Sequence, residues 1–167
     1  EQAWDDFKGA ELEGKVLLML NDDPDWDPGL FAGERRLYYG RWTSKYESAA
    51  RQGAAGAVII HTTESAGYSW EVVQTGWTGE QFELAAGDEP RLAFRAWLTE
   101  GAAHAMVEHG GYDLDGQVAA ARSRDFRPVE LGLRTSIDLR AQERTTATAN
   151  VGGLLRGSDP VLAEQAV

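Results

Sequence analysis

The sequence predicts an α/β fold: a mixed sheet or flattened barrel flanked by helices. Three observations carry that prediction. EGKVLLML, Glu13 to Leu20, is a continuous apolar run after Gly14, and GAVIIH, Gly56 to His61, is another. Runs of this length without polar alternation suit strands covered on both faces. Between them lies a helix signal. Ser44-Lys45-Tyr46-Glu47 has the capping-box pattern, Tyr46, Ala49 and Ala50 recur at helical spacing, and Gly53 supplies a stop. Strand, loop, helix, short turn and strand in that order form an α/β unit.

The later elements follow by the same rules. Glu71–Gln74, EVVQ, reads as a possible short strand, and Gly76–Pro90 reads mostly as loop. Arg91–Leu98 places Leu92, Phe94, Ala96 and Leu98 on one face and is assigned as a strand. Thr99 caps a helix ending at Gly110-Gly111, and Asp113 caps another running to about Arg124. After Pro128 the pattern changes. Leu131, Leu133, Ile137 and Leu139 alternate with Arg134, Ser136, Asp138 and Arg140, which predicts a hairpin over 131–155. Gly157–Pro160 is a turn. The expected core is Val16, Leu18, Leu20, Ala50, Val58, Ile60, Phe94 and Leu98, with helices near 44–53 and 99–109 packed on the sheet.

Charge narrows the function classes. The chain of 167 residues has 27 acids against 16 Lys and Arg, a net charge of −11. That balance argues against nucleic acid or an anionic membrane as partner. The acids concentrate at residues 1–34 and the arginines at 122–156, so these segments suit mutual attraction. There is no cysteine, hence no disulfide. No apolar run approaches the ~18 residues of a membrane-spanning helix, and no signal peptide is visible.

DPDWDPGLFAGE, Asp23 to Glu34, carries acids at the first, third, fifth and twelfth positions of an EF-hand loop. A strand enters it where a helix is required. Pro28 stands at the sixth position, which needs Gly for a sharp turn. Asp22, Asp23, Asp25 and Asp27 remain a weak calcium possibility, and the loop is expected to be metal-free and solvated. His104 and His109 are five apart, so on a helix they diverge by about 140° and form no zinc pair. His61 ends a strand and is expected to be a hydrogen-bonded structural residue, with a catalytic role as the alternative. There is no Cys nucleophile, no G-x-S-x-G elbow and no phosphate loop. YYGRW, Tyr38 to Trp42, is the most ligand-like stretch, because Tyr, Trp and Arg anchor binding patches. Tyr38 and Trp42 serve equally well as core.

A longer resemblance adds to this reading. WDDFKG (Trp4–Gly9), EGKVLLMLNDDP (Glu13–Pro24) and the long stretch from LFAGERRLYYGRW to SWEVVQ (Leu30–Gln74) resemble the protease-associated domain of zinc aminopeptidases of the glutamate carboxypeptidase type. TANVGGLLRGSDP (Thr148–Pro160) resembles the opening of that family's catalytic domain, and residues 78–128 match loosely. The resemblance implies a protease-associated domain over 1–128, with its first strand missing, and the opening hairpin of a truncated peptidase domain over 129–167. It implies that the zinc ligands of the parent follow Val167, so that this chain is no enzyme by itself and zinc belongs to the missing catalytic domain. The implied partners are that catalytic domain and peptide substrates, with self-association through 131–155, no nucleic acid and no membrane. The parent is expected to be secreted, periplasmic or in the cell envelope. The implied function is a non-catalytic domain that shapes substrate access beside the active site, with Tyr38, Tyr39, Arg41, Trp42 and His61 as peptide-binding residues and no catalytic residue. The alternative is a structural or protein-interaction domain without a substrate role.

Overall fold

A computed structural model describes residues 4–85, 87–153, 155 and 157–159. β1 (Val16–Leu20), β2 (Gly56–His61) and β3 (Phe94–Thr99) form a three-stranded sheet in the order β1-β2-β3. Both pairings are parallel, with Leu18 opposite Val58 and Ile60 opposite Leu98. The sheet is therefore open and all-parallel among the described residues, rather than mixed or closed into a barrel. Parallel neighbours need crossover connections. α1 (Trp42–Arg51) makes the first. α2 (Thr63–Ala66), α3 (Trp70–Gly76) and the irregular stretch to residue 93 make the second. α4 (Glu100–His109) and α5 (Leu114–Ala121) follow β3.

Alternation along the strands gives each face its own core. On one face Ala57 and Ile59 join Tyr46, Ala49 and Ala54, with Leu17, Met19, Trp42, Leu92 and Trp97 around them. On the other, Ile60 packs with Ala103 and Val107 of α4 and Leu114 of α5, bordered by Leu18, Leu20, Leu98, Val118 and Leu131. Cover on both faces is the reason the strand sequences are apolar without interruption. Val16 is the exception to the expected core. It opens the edge strand β1 and is 38% exposed. Leu18, Leu20, Val58, Phe94 and Leu98 are half-buried, while Ala50 and Ile60 are buried.

Local signals place most element ends. Gly53, at φ +75°, ends α1 in the left-handed conformation that costs glycine nothing. Thr99 Oγ1 accepts from Ala102 N at 3.3 Å, and Asp113 Oδ2 accepts from Gly116 N at 2.8 Å, so both expected N-caps form. Four assignments change. The strand expected over Arg91–Leu98 runs from Phe94 to Thr99, and Leu92 before it packs against the first cluster while Leu98 borders the second. α1 starts at Trp42, with Arg41 as its N-cap and no side-chain cap. The chain enters it from a 3₁₀ turn at Tyr38–Gly40, so Ser44 of the anticipated capping box is buried inside the helix. Glu71–Gln74 is helical rather than strand: Trp70, Val73 and Trp77 follow the helical spacing of three and four. α5 ends at Ala121, short of Arg124.

The chain divides into two units, residues 1–136 and 137–167. Where period-two patterning predicts a hairpin over 131–155, no strand forms among the described residues. A two-stranded ribbon is marginal without a third strand or a covering layer. Leu131 packs into the second core cluster, whereas Leu133, Ile137 and Leu139 are exposed. Leu154 and Arg156, in the segment that resembles a catalytic domain's opening, and Pro160 of the expected turn lie outside the described residues.

Candidate functional site

The acidic stretch and YYGRW come together at the carboxyl end of β1, where polar groups collect in a parallel sheet. Asp22 Oδ1 accepts from Asp23 N at 3.0 Å and from Arg36 Nη2 at 3.1 Å. Arg36 also donates through Nη1 to the Ser65 carbonyl in α2, to which Asn21 Nδ2 donates at 3.4 Å. Asp23 is buried and its Oδ2 accepts from Leu37 N at 2.9 Å. The backbone approach is close: a Cβ on Gly40 would lie 2.7 Å from Asp23 Cγ. Only glycine lets the turn close over this carboxylate.

These contacts correct the expectation of a wholly solvated acidic loop. Asp23 fastens the residue before the Tyr38–Gly40 turn to the end of β1, and Arg36 bridges Asp22 to α2. Burial pushes the Asp22 carboxyl upward, while the Asp23 N–H and the Arg36 guanidinium pull it down. Asp27 accepts from Gly29 N at 2.8 Å, in a turn held by its own side chain. Asp25 and Asp27 are the exposed members. Among the described residues no group of three or more His, Asp or Glu side chains is arranged to hold a metal ion.

The turn separates the five candidate peptide-binding residues. Tyr38 and Tyr39 are 51% and 61% exposed, and Arg41 is exposed beside them. Tyr38 Oη donates to Glu47 Oε1 at 2.5 Å, which pushes its own hydroxyl pKa up. Tyr39 leans on Phe31, ring centroids 6.0 Å apart. Trp42 turns inward and meets the rings of Tyr46, Trp77 and Trp97 at 6.1, 5.3 and 6.4 Å. His61 is buried at the end of β2, with Tyr68, Trp70 and Trp97 around it. Its Nε2 lies 3.0 Å from the Tyr68 carbonyl. A carbonyl only accepts, so Nε2 carries the proton.

Tyr38, Tyr39 and Arg41 are therefore exposed on the surface, while half-buried Trp42 and buried His61 belong to a cluster of aromatic rings that meet at Trp97. The sequence offers Arg36 as a charge partner for the acidic stretch, and it does pair with Asp22, but its bond to the Ser65 carbonyl depends on a distant contact. Sequence reasoning missed Trp70 and Trp77, which a helical count through 70, 73 and 77 would have placed on one face. Trp97 Nε1 and Asn21 Oδ1 are buried without a hydrogen-bond partner among the described residues. His104 and His109 have different surroundings: His104 Nε2 lies 3.7 Å from Asp115 Oδ1 of α5, while His109 is exposed in the last turn of α4. No protein-family model, curated protein or solved structure matches the chain.

Proposed function

We propose that residues 1–128 act as a non-catalytic protease-associated domain, shaping peptide access beside the active site of a zinc-dependent aminopeptidase. The observation that supports this most directly is the exposed Tyr38, Tyr39 and Arg41 group on a turn held rigid from beneath by Asp23 and Arg36. Rigid aromatics with few rotatable bonds lose little entropy when a ligand covers them, and a guanidinium takes a carboxylate through two N–H groups. Asp25 and Asp27 are the carboxylates left to favour a free amino terminus. Catalysis and zinc belong to the parent's other domain in this reading.

The test is made in the full-length enzyme. Tyr39→Ala and Arg41→Ala are expected to lower kcat/KM for peptides while leaving the melting temperature unchanged. Unchanged kcat/KM across peptides of several lengths removes the proposed role. The burial of His61 and the packing of Trp42 against the first core cluster favour a second reading, a structural or protein-interaction domain whose conspicuous aromatics serve the core. In that case Trp42→Ala lowers stability and no YYGRW substitution changes substrate choice.

A further inference from the structure

The turn at residues 27–35 carries a side chain that its backbone does not favour. Leu30 N donates to the Asp27 carbonyl at 2.9 Å, Gly33 N to the Leu30 carbonyl at 2.9 Å and Arg35 N to the Ala32 carbonyl at 3.3 Å, so the chain turns repeatedly. Leu30 is buried and anchors the stretch. The next residue, Phe31, lies at φ +49°, in the left-handed region. Lys8 is the one other non-glycine residue there among those described. Glycine enters that region freely, whereas a bulky side chain is strained in it. Such strain persists where the surroundings over-determine it, and it clusters at ligand clamps.

The position of the ring gives the strain a use. Phe31 is half-buried and belongs to neither apolar core cluster. Its ring meets that of Tyr39, with centroids 6.0 Å apart and planes inclined at 56°. Tyr39 is 61% exposed. It comes from a separate turn, whose entry is fixed by Asp23 Oδ2 at Leu37 N, 2.9 Å. Two turns thus bring one aromatic ring each to the surface. Arg41, two residues after Tyr39, is exposed, and its guanidinium makes no hydrogen bond or ion pair among the described residues. Its N–H donors are open to a ligand. A glycine at position 31 would follow the same backbone without strain, so the turn itself does not require the ring.

We propose that Phe31 sets the side-chain preference of the peptide-binding surface, pairing with Tyr39 to take one large apolar or aromatic side chain of the substrate. The proposal rests on the reading of Tyr38, Tyr39 and Arg41 as peptide-binding residues and names the class of peptide they receive. Two rigid rings offer a Phe or Leu side chain apolar area at little entropic cost. Ala at the same substrate position leaves that area uncovered. Selection by apolar contact alone is modest, so the preference is graded rather than absolute.

Phe31→Gly tests the proposal, because glycine keeps the left-handed backbone and removes the ring. In this chain its urea midpoint is expected to equal or exceed that of the wild type. A large drop identifies the ring as a structural prop and overturns the proposal. In the full-length enzyme, tripeptides carrying Phe or Ala at each position in turn are compared. The wild type is expected to prefer Phe about tenfold in kcat/KM at the position that the ring pair covers. Phe31→Gly should bring that ratio close to one through KM rather than kcat, and Phe31→Leu should retain part of it. If no position loses its Phe preference in Phe31→Gly, the proposal is overturned. Tyr39→Ala and Arg41→Ala tell the two failures apart. If they lower kcat/KM while the ratio ignores Phe31, the assignment of Phe31 fails alone. If they change nothing, the peptide-binding reading fails and this assignment with it.

Discussion

Gly56 shows how strictly a single position is set. It lies opposite Phe94 in the sheet register, and a Cβ there would sit 2.3 Å from the ring. Gly56→Ala is therefore expected to cost about 1–3 kcal/mol by overpacking, measured by urea denaturation. Phe94→Leu in the same chain should recover part of that cost, since the clash is with a side chain. Asp23 is the polar counterpart: replacing it with Ala leaves Leu37 N without its acceptor, an expected loss of about 1–3 kcal/mol. Lys45 adds a pH dependence. Burial pushes its ammonium pKa down, against the pull of Asp6, Asp23 and Asp22. Between that lowered value and the ordinary 10.5 the unfolded chain binds more protons than the folded one, so stability rises with pH across the window. The difference in unfolding free energy between the wild type and Lys45→Met, measured against pH, should move in that direction. A flat difference, or one of opposite slope, contradicts it.

Among the elements, the helices divide by where their start signals lie. α4 and α5 are announced by side chains that cap them, Thr99 and Asp113, and both ladders begin at the expected residues. Asp113→Ala is expected to cost ~1 kcal/mol, read as a drop in the urea midpoint with an unchanged slope. α1 lacks a side-chain cap and is started by the 3₁₀ turn before it, so its first residue depends on how Asp23 and Arg36 fix that turn. α3 is seven residues long, too short to stand on propensity alone. It persists because Val73 is buried and Trp70 and Trp77 reach the rings of His61 and Trp42.

On the described sheet α1 packs one apolar layer against one face, and α4 and α5 pack a second against the other. Ile59 is wholly buried at the centre of the first layer. Ile59→Ala should cost about 2–5 kcal/mol, measured by thermal or urea unfolding, whereas Val16→Ala at the exposed edge should fall well below that. The residues on the central strand thus set stability, and those on the turn beyond β1 are free to serve recognition. This separation makes the Tyr39→Ala and Arg41→Ala tests interpretable, since neither side chain belongs to a core cluster.

The sequence by itself determined the α/β class, the span of β2, the stop at Gly53 and the caps at Thr99 and Asp113. All of these follow from neighbours within a few residues, through apolar runs, backbone freedom at glycine or a side chain reaching the next turn. Tertiary structure alone decided that the sheet is parallel throughout, that Glu71–Gln74 is helical, and that Asp22 and Asp23 turn to Arg36 and Leu37 rather than to solvent. It also decided that His61 is buried and Trp42 packs against the first core cluster while Tyr38 and Tyr39 are exposed. The physical reason is common to these cases. Burial and pairing depend on partners far along the chain, such as Ser65 for Arg36, Trp97 for Trp42 and Arg124 for Trp4, and no local pattern records which distant residue will arrive.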